Sequence, residues 1–342
     1  MRVLVTGAGA GPAIALIKAL KTLDSDPDRF VLATDMSPES AGFALADGCE
    51  VSPANTAADF VSVIEAACRR HRIEMVIPVL DGDAATLSAA AETFGRGGTS
   101  VATHTPQAVQ ACSDKFLARD VCRSHGIRQP ESFAGPANIC AESFPILAKP
   151  RRGVSARGIA VYESPDAAAA FTGSADAFLW QQLVPGQEFS IDTFSRPSLG
   201  DFVAVPRRRD VVKAGQMVRG ETCADADLIA FTAQCCEAFA LSDVACIQVI
   251  RQLDSGDLYF VEANPRYGTG VSLSIAAGIF FPRLQYLRHF SRQPIPVDWL
   301  TFQSGVRMVR FWEEIFAYPD RSDRVVGLTP PAVELDPSRR QA

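Results

Sequence analysis

The sequence lacks the features that would assign it to several large classes of protein. Among its 342 residues no apolar run reaches the length of a membrane span, and the nine cysteines include no C-x-x-C pair. The four histidines have no metal-binding spacing, and the net charge of −6 argues against general nucleic-acid or membrane binding. The N-terminus lacks the apolar core of a signal peptide. We therefore expect a cytoplasmic protein with reduced thiols.

The sequence does contain enough apolar residues to form more than one hydrophobic core. Apolar residues make up 47% of the chain and charged residues 21%, which is typical of an enzyme-like globular protein. The length predicts two or three domains.

One stretch, Val244 to Arg266, has the pattern of a polar-faced hairpin. Two apolar, β-branched runs flank a loop in which Gly256 suits a positive φ. With the loop centred on Ser255, Gln248 lies directly opposite Glu262, and Asn264 shares their face because side chains alternate along a strand. Such oxygen donors suit Mg²⁺. The alternative is an edge hairpin with an ordinary polar face.

The motif formed by Gln248 and Glu262-Ala263-Asn264-Pro265-Arg266 resembles the metal-binding strands of ATP-grasp enzymes, nearest to the carbamoyl-phosphate synthetase-like branch. The resemblance implies that Gln248, Glu262 and Asn264 hold magnesium ions on ATP. It also implies that Arg266 contacts phosphate or acyl phosphate. That synthetase has two ATP-grasp halves, whereas this chain has room for one.

The first hundred residues have the pattern of a Rossmann-like domain. A strand over 2–6, the turn Gly7 to Pro12, a helix and a strand ending at Asp35 resemble a dinucleotide fold. Pro12 replaces the third glycine of the G-x-G-x-x-G motif, so we favour a structural turn. Further on, Asp81 and Asp83 follow a strand, where they either accept a substrate ammonium group or, as we favour, cap a helix.

The middle of the chain predicts a phosphate-covering lid. Strands ending at Lys149 and beginning at Ile159 flank a basic, glycine-rich loop, which either folds over a triphosphate or is an exposed hairpin loop. The family resemblance implies that Lys149 reaches the α- and β-phosphates and Lys115 also reaches ATP. It places Ser155 and Gly158 at the small-residue positions of the loop. We predict one continuous helix over 107–126.

A strand, a Pro-Gly turn and a second strand follow over 178–192, the pattern of a nucleotide hinge. By the resemblance, Gln181, Gln182 and Leu183 contact the adenine and Glu188 holds the ribose hydroxyls. Relatives usually carry acids where the two glutamines stand, although a glutamine carbonyl also accepts a hydrogen bond.

A run of three arginines over 207–209 follows the hinge, and Arg219 lies further on. We expect Arg209 and Arg219 to clamp an anionic substrate, because arginine's planar fork suits carboxylate and phosphate. The alternative is a solvated charge run. Helices are predicted over 225–241 and from Thr269, and a strand plus a helix over 305–316.

Together these patterns predict an α/β and α+β protein. The resemblance implies a Rossmann-like pre-ATP-grasp domain (1–105), a small ATP-grasp lid subdomain (106–180), a C-terminal ATP-grasp subdomain with the metal site (181–318) and a polar tail (319–342). The expected function is ATP-dependent activation of a small carboxylate as an acyl phosphate for attack by an amine, giving ADP and phosphate. Phosphorylation of bicarbonate by a carboxylase or carbamoyl-phosphate-type enzyme is the alternative. An NAD-dependent oxidoreductase would rest on the glycine turn and Asp35 alone.

The expected cofactors are ATP and Mg²⁺, with Mn²⁺ as a substitute. The expected partners are a small carboxylate and an amine, such as amino acids, without nucleic acid or membrane. A homodimer is left open.

Overall fold

The computed structural model describes residues 1–22, 27–136, 139–153, 158–317 and 324–327. The described residues form three larger sheets and one short two-stranded sheet. No helix in this part of the chain is both long and apolar enough to cross a membrane.

The N-terminal sheet is parallel, with strand order β3-β2-β1-β4-β5 and helices packed around it. Its apolar strands are almost fully buried, as expected for a parallel sheet covered on both faces. The elements are β1 Arg2–Val5, α1 Gly11–Lys21, β2 Phe30–Asp35, β3 Gly48–Val51, α2 Phe60–His71, β4 Met75–Ile77, α3 Asp81–Ala89, α4 Ala91–Arg96 and β5 Ser100–Val101.

The glycine turn after β1 has a backbone that requires glycine at its first position. Gly7 has a φ of +60°, and a Cβ atom there would lie 2.8 Å from Leu80. The Asp35 carboxylate accepts hydrogen bonds from the Gly9 N–H at 2.8 Å and the Ser37 N–H at 3.0 Å. Asp35 is therefore occupied by backbone groups rather than presented to a ribose.

The predicted single helix over 107–126 is wrong, because the structure has two helices, α5 Pro106–Ser113 and α6 Lys115–Ser124. Asp114 between them has an extended backbone and accepts the Phe116 N–H at 3.0 Å. Asp is a preferred N-cap residue, and here Asp114 ends α5 and caps the N-terminus of α6. Its buried carboxylate also binds Arg151 Nε at 2.9 Å. Lys115 consequently begins a helix next to the lid.

The lid sheet is antiparallel, with order β6-β9-β7-β8. The predicted pairing of the two lid strands is confirmed. Trp180 is fully buried and packs edge-on against Phe171, so this small unit has its own core. Its elements are β6 Ser132–Phe133, β7 Ile146–Pro150, β8 Ala160–Tyr162, α7 Pro165–Ala169 and β9 Phe178–Gln182.

The large C-terminal sheet is antiparallel, with order β14-β13-β10-β11-β12-β15. The run of three arginines lies inside its longest strand. The elements are β10 Gly186–Arg196, β11 Asp201–Lys213, β12 Gln216–Thr222, α8 Ala226–Ala238, β13 Val244–Gln252, β14 Leu258–Asn264, α9 Val271–Ala276, α10 Phe281–Phe290 and β15 Arg307–Val309.

The strand-plus-helix prediction over 305–316 is wrong in its second half. After β15 the described residues contain the short strand β16 Ile315–Ala317, which pairs with β17 Arg324–Val326, and no helix. The predicted polar tail thus contains a strand, and the rest of that tail lies outside the described residues.

Candidate active site

A cavity of about 480 Å³ is lined by residues of the lid sheet and of the large sheet. This volume is within the usual range for a small-molecule site. Nine of the residues predicted for the site line it: Lys115, Lys149, Leu183, Glu188, Arg209, Gln248, Glu262, Asn264 and Arg266.

The hairpin of β13 and β14 brings the proposed metal ligands together through a β-bulge. Near the loop, Val249 pairs with Phe260, whereas Gln248 pairs with Glu262, which leaves Val261 without a partner. The predicted pairing of Gln248 with Glu262 is confirmed. If the register near the loop continued without a bulge, Gln248 would face Val261, and Glu262 would point to the opposite side of the sheet.

The three side chains at this hairpin form one hydrogen-bonded group. Glu262 Oε1 accepts from Gln248 Nε2 at 2.8 Å and from Asn264 Nδ2 at 3.0 Å. One carboxylate beside two amides offers oxygen ligands to Mg²⁺, which commonly leaves its other positions to water and phosphate. In the described residues there is no cluster of three or more acidic, histidine or cysteine side chains that could hold a metal.

Lys149 extends from β7 into the same cavity and is only 7% exposed. Burial lowers its pKa, and the neighbouring Lys115 lowers it further, whereas Glu262 and Glu188 raise it. A buried ammonium group facing two carboxylates across a cavity is placed to contact an anionic ligand.

Two arginines of β11 face the cavity, because side chains two residues apart share one side of a strand. Arg209 pairs with Glu188 Oε2 at 2.9 Å and donates to Gln248 Oε1 at 3.0 Å. Arg207 is fully buried and donates to Asp192 Oδ1 at 2.7 Å. The second oxygen of Asp192 accepts from Ser274 Oγ at 2.7 Å.

Sequence reasoning missed Arg207 and chose Arg219 instead. Arg219 is exposed on β12 and is not among the residues that line the cavity. Arg208 points away from the cavity and pairs with Asp210 at 2.6 Å and Glu221 at 3.2 Å. The period-2 alternation along β11 is the signal that would have separated Arg207 and Arg209 from Arg208.

Arg266 connects the cavity with the N-terminal sheet. Its Nε and Nη2 donate to the two carboxylate oxygens of Asp81 at 2.7 and 2.6 Å, and Nη2 also reaches Asn264 Oδ1 at 3.1 Å. Asp81 lies in the first turn of α3, whose N-cap residue is Leu80. The favoured prediction that Asp81 and Asp83 cap this helix is therefore wrong, although both lie where the helix dipole favours a negative charge.

Asp83 is a buried structural carboxylate. It accepts from Thr6 Oγ1 at 2.6 Å and from Asn55 Nδ2 at 2.7 Å. Burial raises its pKa, and these two hydrogen bonds oppose that shift. Its two oxygens are engaged within the N-terminal unit rather than offered to a substrate.

The hinge residues are only partly brought to the cavity. Leu183 and the neighbouring Val184 line it, whereas Gln181 and Gln182 do not. Gln181 is buried and donates to Ser132 Oγ at 3.3 Å, and Gln182 is exposed at the end of β9.

The lid loop approaches the cavity through Gly153 and Ile159. Gly158 has a φ of +74°, and a Cβ atom there would lie 2.9 Å from Pro150, so this position requires glycine. Gly158 itself does not line the cavity, and Ser155 lies outside the described residues.

Comparison with known families and structures gives a consistent picture. The family described as ATP-grasp in the biosynthetic pathway with Ter operon matches residues 174–310, and the PylC-like N-terminal domain matches residues 3–102. The search of curated proteins finds no match.

Solved structures share the fold at low sequence identity. The biotin carboxylase domain dimer of Hydrogenobacter thermophilus 2-oxoglutarate carboxylase, in complex with MgADP, ADP and bicarbonate, has a TM-score of 0.68 and 14% identity, covering 88% of this chain and 72% of that chain. An L-amino acid ligase from Bacillus licheniformis has a TM-score of 0.66 and 17% identity, covering 87% and 76%. An N5-carboxyaminoimidazole synthetase from Staphylococcus aureus, complexed with ADP, has a TM-score of 0.69 and 11% identity, covering 86% and 78%.

These matches confirm the predicted family and fold class. Residues 174–310 thus match an ATP-grasp family model, and residues 3–102 ahead of them match a PylC-like N-terminal domain.

Proposed function

We propose that this ATP-grasp protein is an ATP-dependent ligase that joins a small carboxylate to an amine. The observation that carries the proposal is the convergence of Lys149, Arg207 and the Glu262 hairpin on one cavity. Phosphoryl transfer requires positioning and charge neutralisation above all, and these residues would supply both.

The proposed reaction has two steps. An oxygen of the substrate carboxylate attacks the γ-phosphorus of ATP, the bond to the bridging oxygen breaks, and ADP leaves an acyl phosphate behind. The amine nitrogen then attacks the acyl carbon, inorganic phosphate leaves, and the nitrogen loses a proton to solvent. No protein nucleophile is required. Cys246 lines the cavity, but burial raises the pKa of its thiol to about 12, so the thiol stays protonated.

Each group has a proposed role that its position supports. Glu262, Gln248 and Asn264 would hold Mg²⁺, or Mn²⁺ in its place, and the ion would neutralise charge on the phosphates. Lys149 and Lys115 would bind phosphate oxygens, Leu183 would contact the adenine, and Glu188 the ribose. Arg266, whose Nη2 donates to Asn264 Oδ1, would contact the acyl phosphate.

The acid substrate would bind near Arg207 and Arg209 rather than between Arg209 and Arg219. Arg207 is held by the buried Asp192, and its Nη1 packs so tightly against the backbone that a Cβ atom on Gly270 would lie 1.9 Å away. A fixed guanidinium loses little conformational entropy when it binds a carboxylate.

Phosphorylation of bicarbonate is the second candidate, favoured by the structural likeness to the carboxylase that was crystallised with MgADP and bicarbonate. The two reactions share every ATP-contacting residue. They differ in whether ADP release depends on an amine or on bicarbonate.

The deciding experiment is ADP release in the presence of Mg²⁺ across a matrix of small acids and amines, with bicarbonate alone as a separate arm. We expect release that requires both an acid and an amine. Release with bicarbonate and no other acid would favour the carboxylase. If calorimetry detects no binding of Mg-ADP or Mg-ATP, both proposals are wrong. Tight binding of NAD would instead favour an NAD-dependent oxidoreductase.

The nine cysteines are all free thiols, which supports a cytoplasmic setting as part of the proposal. A homodimer stays a prediction, to be checked by sedimentation equilibrium.

A further inference from the structure

Two β-bulges near the end of the β11–β12 hairpin bring apolar side chains into the cavity. Asp210 is the extra residue on β11, and Val218 is the extra residue on β12. A bulge moves the residues beyond it to the opposite face of the strand. Val212 and Met217 are therefore paired directly and both line the cavity, whereas Val211 does not. Without the bulges, regular alternation would place Val211 in the cavity instead.

The turn of this hairpin is held against the cavity. Lys213 pairs with Gln216, so Ala214 and Gly215 form a two-residue loop. Both loop residues have a positive φ, +48° and +75°, and both line the cavity. The Gly215 carbonyl accepts a hydrogen bond from Arg209 Nη2 at 3.1 Å. An arginine of the cavity thus fixes the position of the turn.

The Met217 side chain lies beside the buried guanidinium of Arg207. A Cβ atom on Gly270 would be 1.9 Å from Arg207 Nη1 and 3.0 Å from Met217 Cε, so the methyl group and the guanidinium are neighbours. A Cβ atom on Gly220 would be 2.4 Å from Met217 Sδ, so this second glycine also leaves room for the thioether. Met217 is only 3% exposed. The cavity is therefore apolar on one side of a cation.

The arginines beside this apolar surface determine where the carboxylate of an acid would lie. Arg207 Nη2 donates to Asp192 Oδ1 at 2.7 Å, while its buried Nε has no hydrogen-bond partner in the part of the chain that the structure describes. A carboxylate bound to this guanidinium would bring its next carbon atoms close to the Met217 methyl group. A polar substituent buried there would lose its hydrogen bonds to water, which is unfavourable unless the protein replaces them. Bicarbonate meets the same difficulty, because it has a hydroxyl group where a larger acid has carbon.

We propose that the acid substrate carries an aliphatic substituent, which packs against Met217 and Val212 while the carboxylate binds Arg207 and Arg209. The proposal rests on the ligase function proposed above and names the class of acid that it uses. Met217 would set the preference, because its methyl group lies next to the guanidinium. Val212 would extend the same surface towards the mouth of the cavity, since it is 41% exposed.

The test uses hydroxylamine in place of the unknown amine. Its nitrogen attacks the acyl carbon of an acyl phosphate, inorganic phosphate leaves, and the product is a hydroxamate that iron(III) makes visible. Near-isosteric acids are compared with Mg-ATP: leucine with asparagine and aspartate, 4-methylpentanoate with succinamate and succinate, and valine with threonine. The first two sets differ from each other only by the α-amino group.

We expect the aliphatic acid of at least one set to have a kcat/KM about 10- to 200-fold above that of its polar partners, the range over which a hydrophobic pocket discriminates between similar substrates. No advantage for the aliphatic acid in any set, including no turnover of any acid, would overturn the proposal. A preference for the polar acids would also overturn it and would assign their substituent to Gln216 or Thr269, which line the cavity as well. Failure of the ligase function would appear separately, as a wild-type protein that binds no Mg-ADP in calorimetry.

Variants of the hairpin locate the preference. Met217→Gln keeps the length of the side chain and adds a polar end, so it should abolish the preference for the aliphatic acid, whereas Met217→Leu should retain most of it. Val212→Thr should reduce the preference. Val211→Thr is the matched control, because it makes the same exchange on the opposite face of the strand. Val212→Thr changes a partly exposed residue and should fold even if Met217→Gln does not. An undiminished preference in folded Met217→Gln, or equal effects of Val212→Thr and Val211→Thr, would overturn the proposal.

Discussion

At the scale of single residues, the candidate site contains a carboxylate that two neutral amide side chains hold in place. Glu262 is the carboxylate at the hairpin, and two amide donors orient one of its oxygens. Lys149 faces it from the lid sheet, and its pKa is lowered chiefly by burial and raised by Glu262. Removing either charge therefore leaves the other less well compensated.

Glu262→Gln is expected to lower turnover by orders of magnitude while ATP binding falls much less. The substitution is nearly isosteric, so the hairpin should persist, but the anionic ligand for Mg²⁺ is lost where charge shifts during transfer. The measurement is substrate-dependent ADP release at saturating Mg²⁺, with circular dichroism as a check on folding. Gln248→Ala is the milder comparison, since water replaces a neutral ligand. Near wild-type turnover in Glu262→Gln would mean that the hairpin is an edge hairpin with an ordinary polar face and holds no metal.

Lys149→Ala is expected to weaken ATP binding by about 10- to 150-fold, through the loss of a charge-assisted phosphate contact of about 1.5–3 kcal/mol. Calorimetric titration with Mg-ADP and Mg-ATP measures the effect. Lys213→Ala, which changes a more exposed lysine at the end of β11, is the control. An unchanged dissociation constant in folded Lys149→Ala would remove Lys149 from the nucleotide site.

At the scale of elements, strand β11 presents some of its arginines to the cavity and one to the outside. Alternation along β11 directs Arg207 and Arg209 into the cavity and Arg208 away from it. We expect Arg209→Gln to raise the KM for the acid substrate at least tenfold with little change in Mg-ADP affinity, and Arg208→Gln to change neither quantity. Steady-state kinetics with calorimetry gives both. Equal effects of the two substitutions would mean that the strand acts through overall charge alone.

Elements with a regular apolar periodicity could be predicted from the sequence. Features that depend on one residue interrupting that periodicity could not. Strands of the parallel sheet and the pairing of Gln248 with Glu262 follow from apolar periodicity and from Gly256, whose φ is +75°. The division between α5 and α6 was missed because apolar spacing continues across Asp114. The bulge at Val261 leaves no mark in composition. Arg207 was missed because the arginines were interpreted as a charge run instead of as alternating positions of a strand.

At the scale of the whole molecule, buried polar groups join the end of the N-terminal unit to the large sheet. His104 is buried, its Nε2 donates to the Val244 carbonyl at 2.9 Å, and its Nδ1 accepts the Ser242 N–H at 3.1 Å. Burial lowers the pKa of His104, with the charge of Asp243 opposing. Burial raises the pKa of Asp243, but Arg288 and His289 outweigh it and hold that pKa at about 2.

Stability should therefore fall as the pH drops below about 6.5, the ordinary pKa of histidine. In that range the unfolded chain binds a proton at position 104 and the folded chain does not. The free energy of unfolding should decrease by up to about 1.4 kcal/mol per pH unit until the lowered pKa of folded His104 is reached. Asp243 adds a further loss only between about pH 4 and pH 2, where its lowered pKa lies.

Urea unfolding between pH 5 and 8 measures this slope. His104→Asn should flatten it, whereas His125→Asn, which changes an exposed histidine, should leave it unchanged. A slope that is the same in wild-type and His104→Asn protein would assign the pH dependence to other groups.

The bulge at Val261 has an evolutionary consequence. The bulge joins two registers, one set near the loop by the Val249–Phe260 pair and one set further along by the Gln248–Glu262 pair. Loss of Val261 alone would make the ladder regular and leave Glu262 opposite Gln248, because directly paired residues share a side of the sheet. Among functional descendants of this sequence, we therefore expect loss of Val261 to be tolerated more readily than substitution of Gln248 or Glu262.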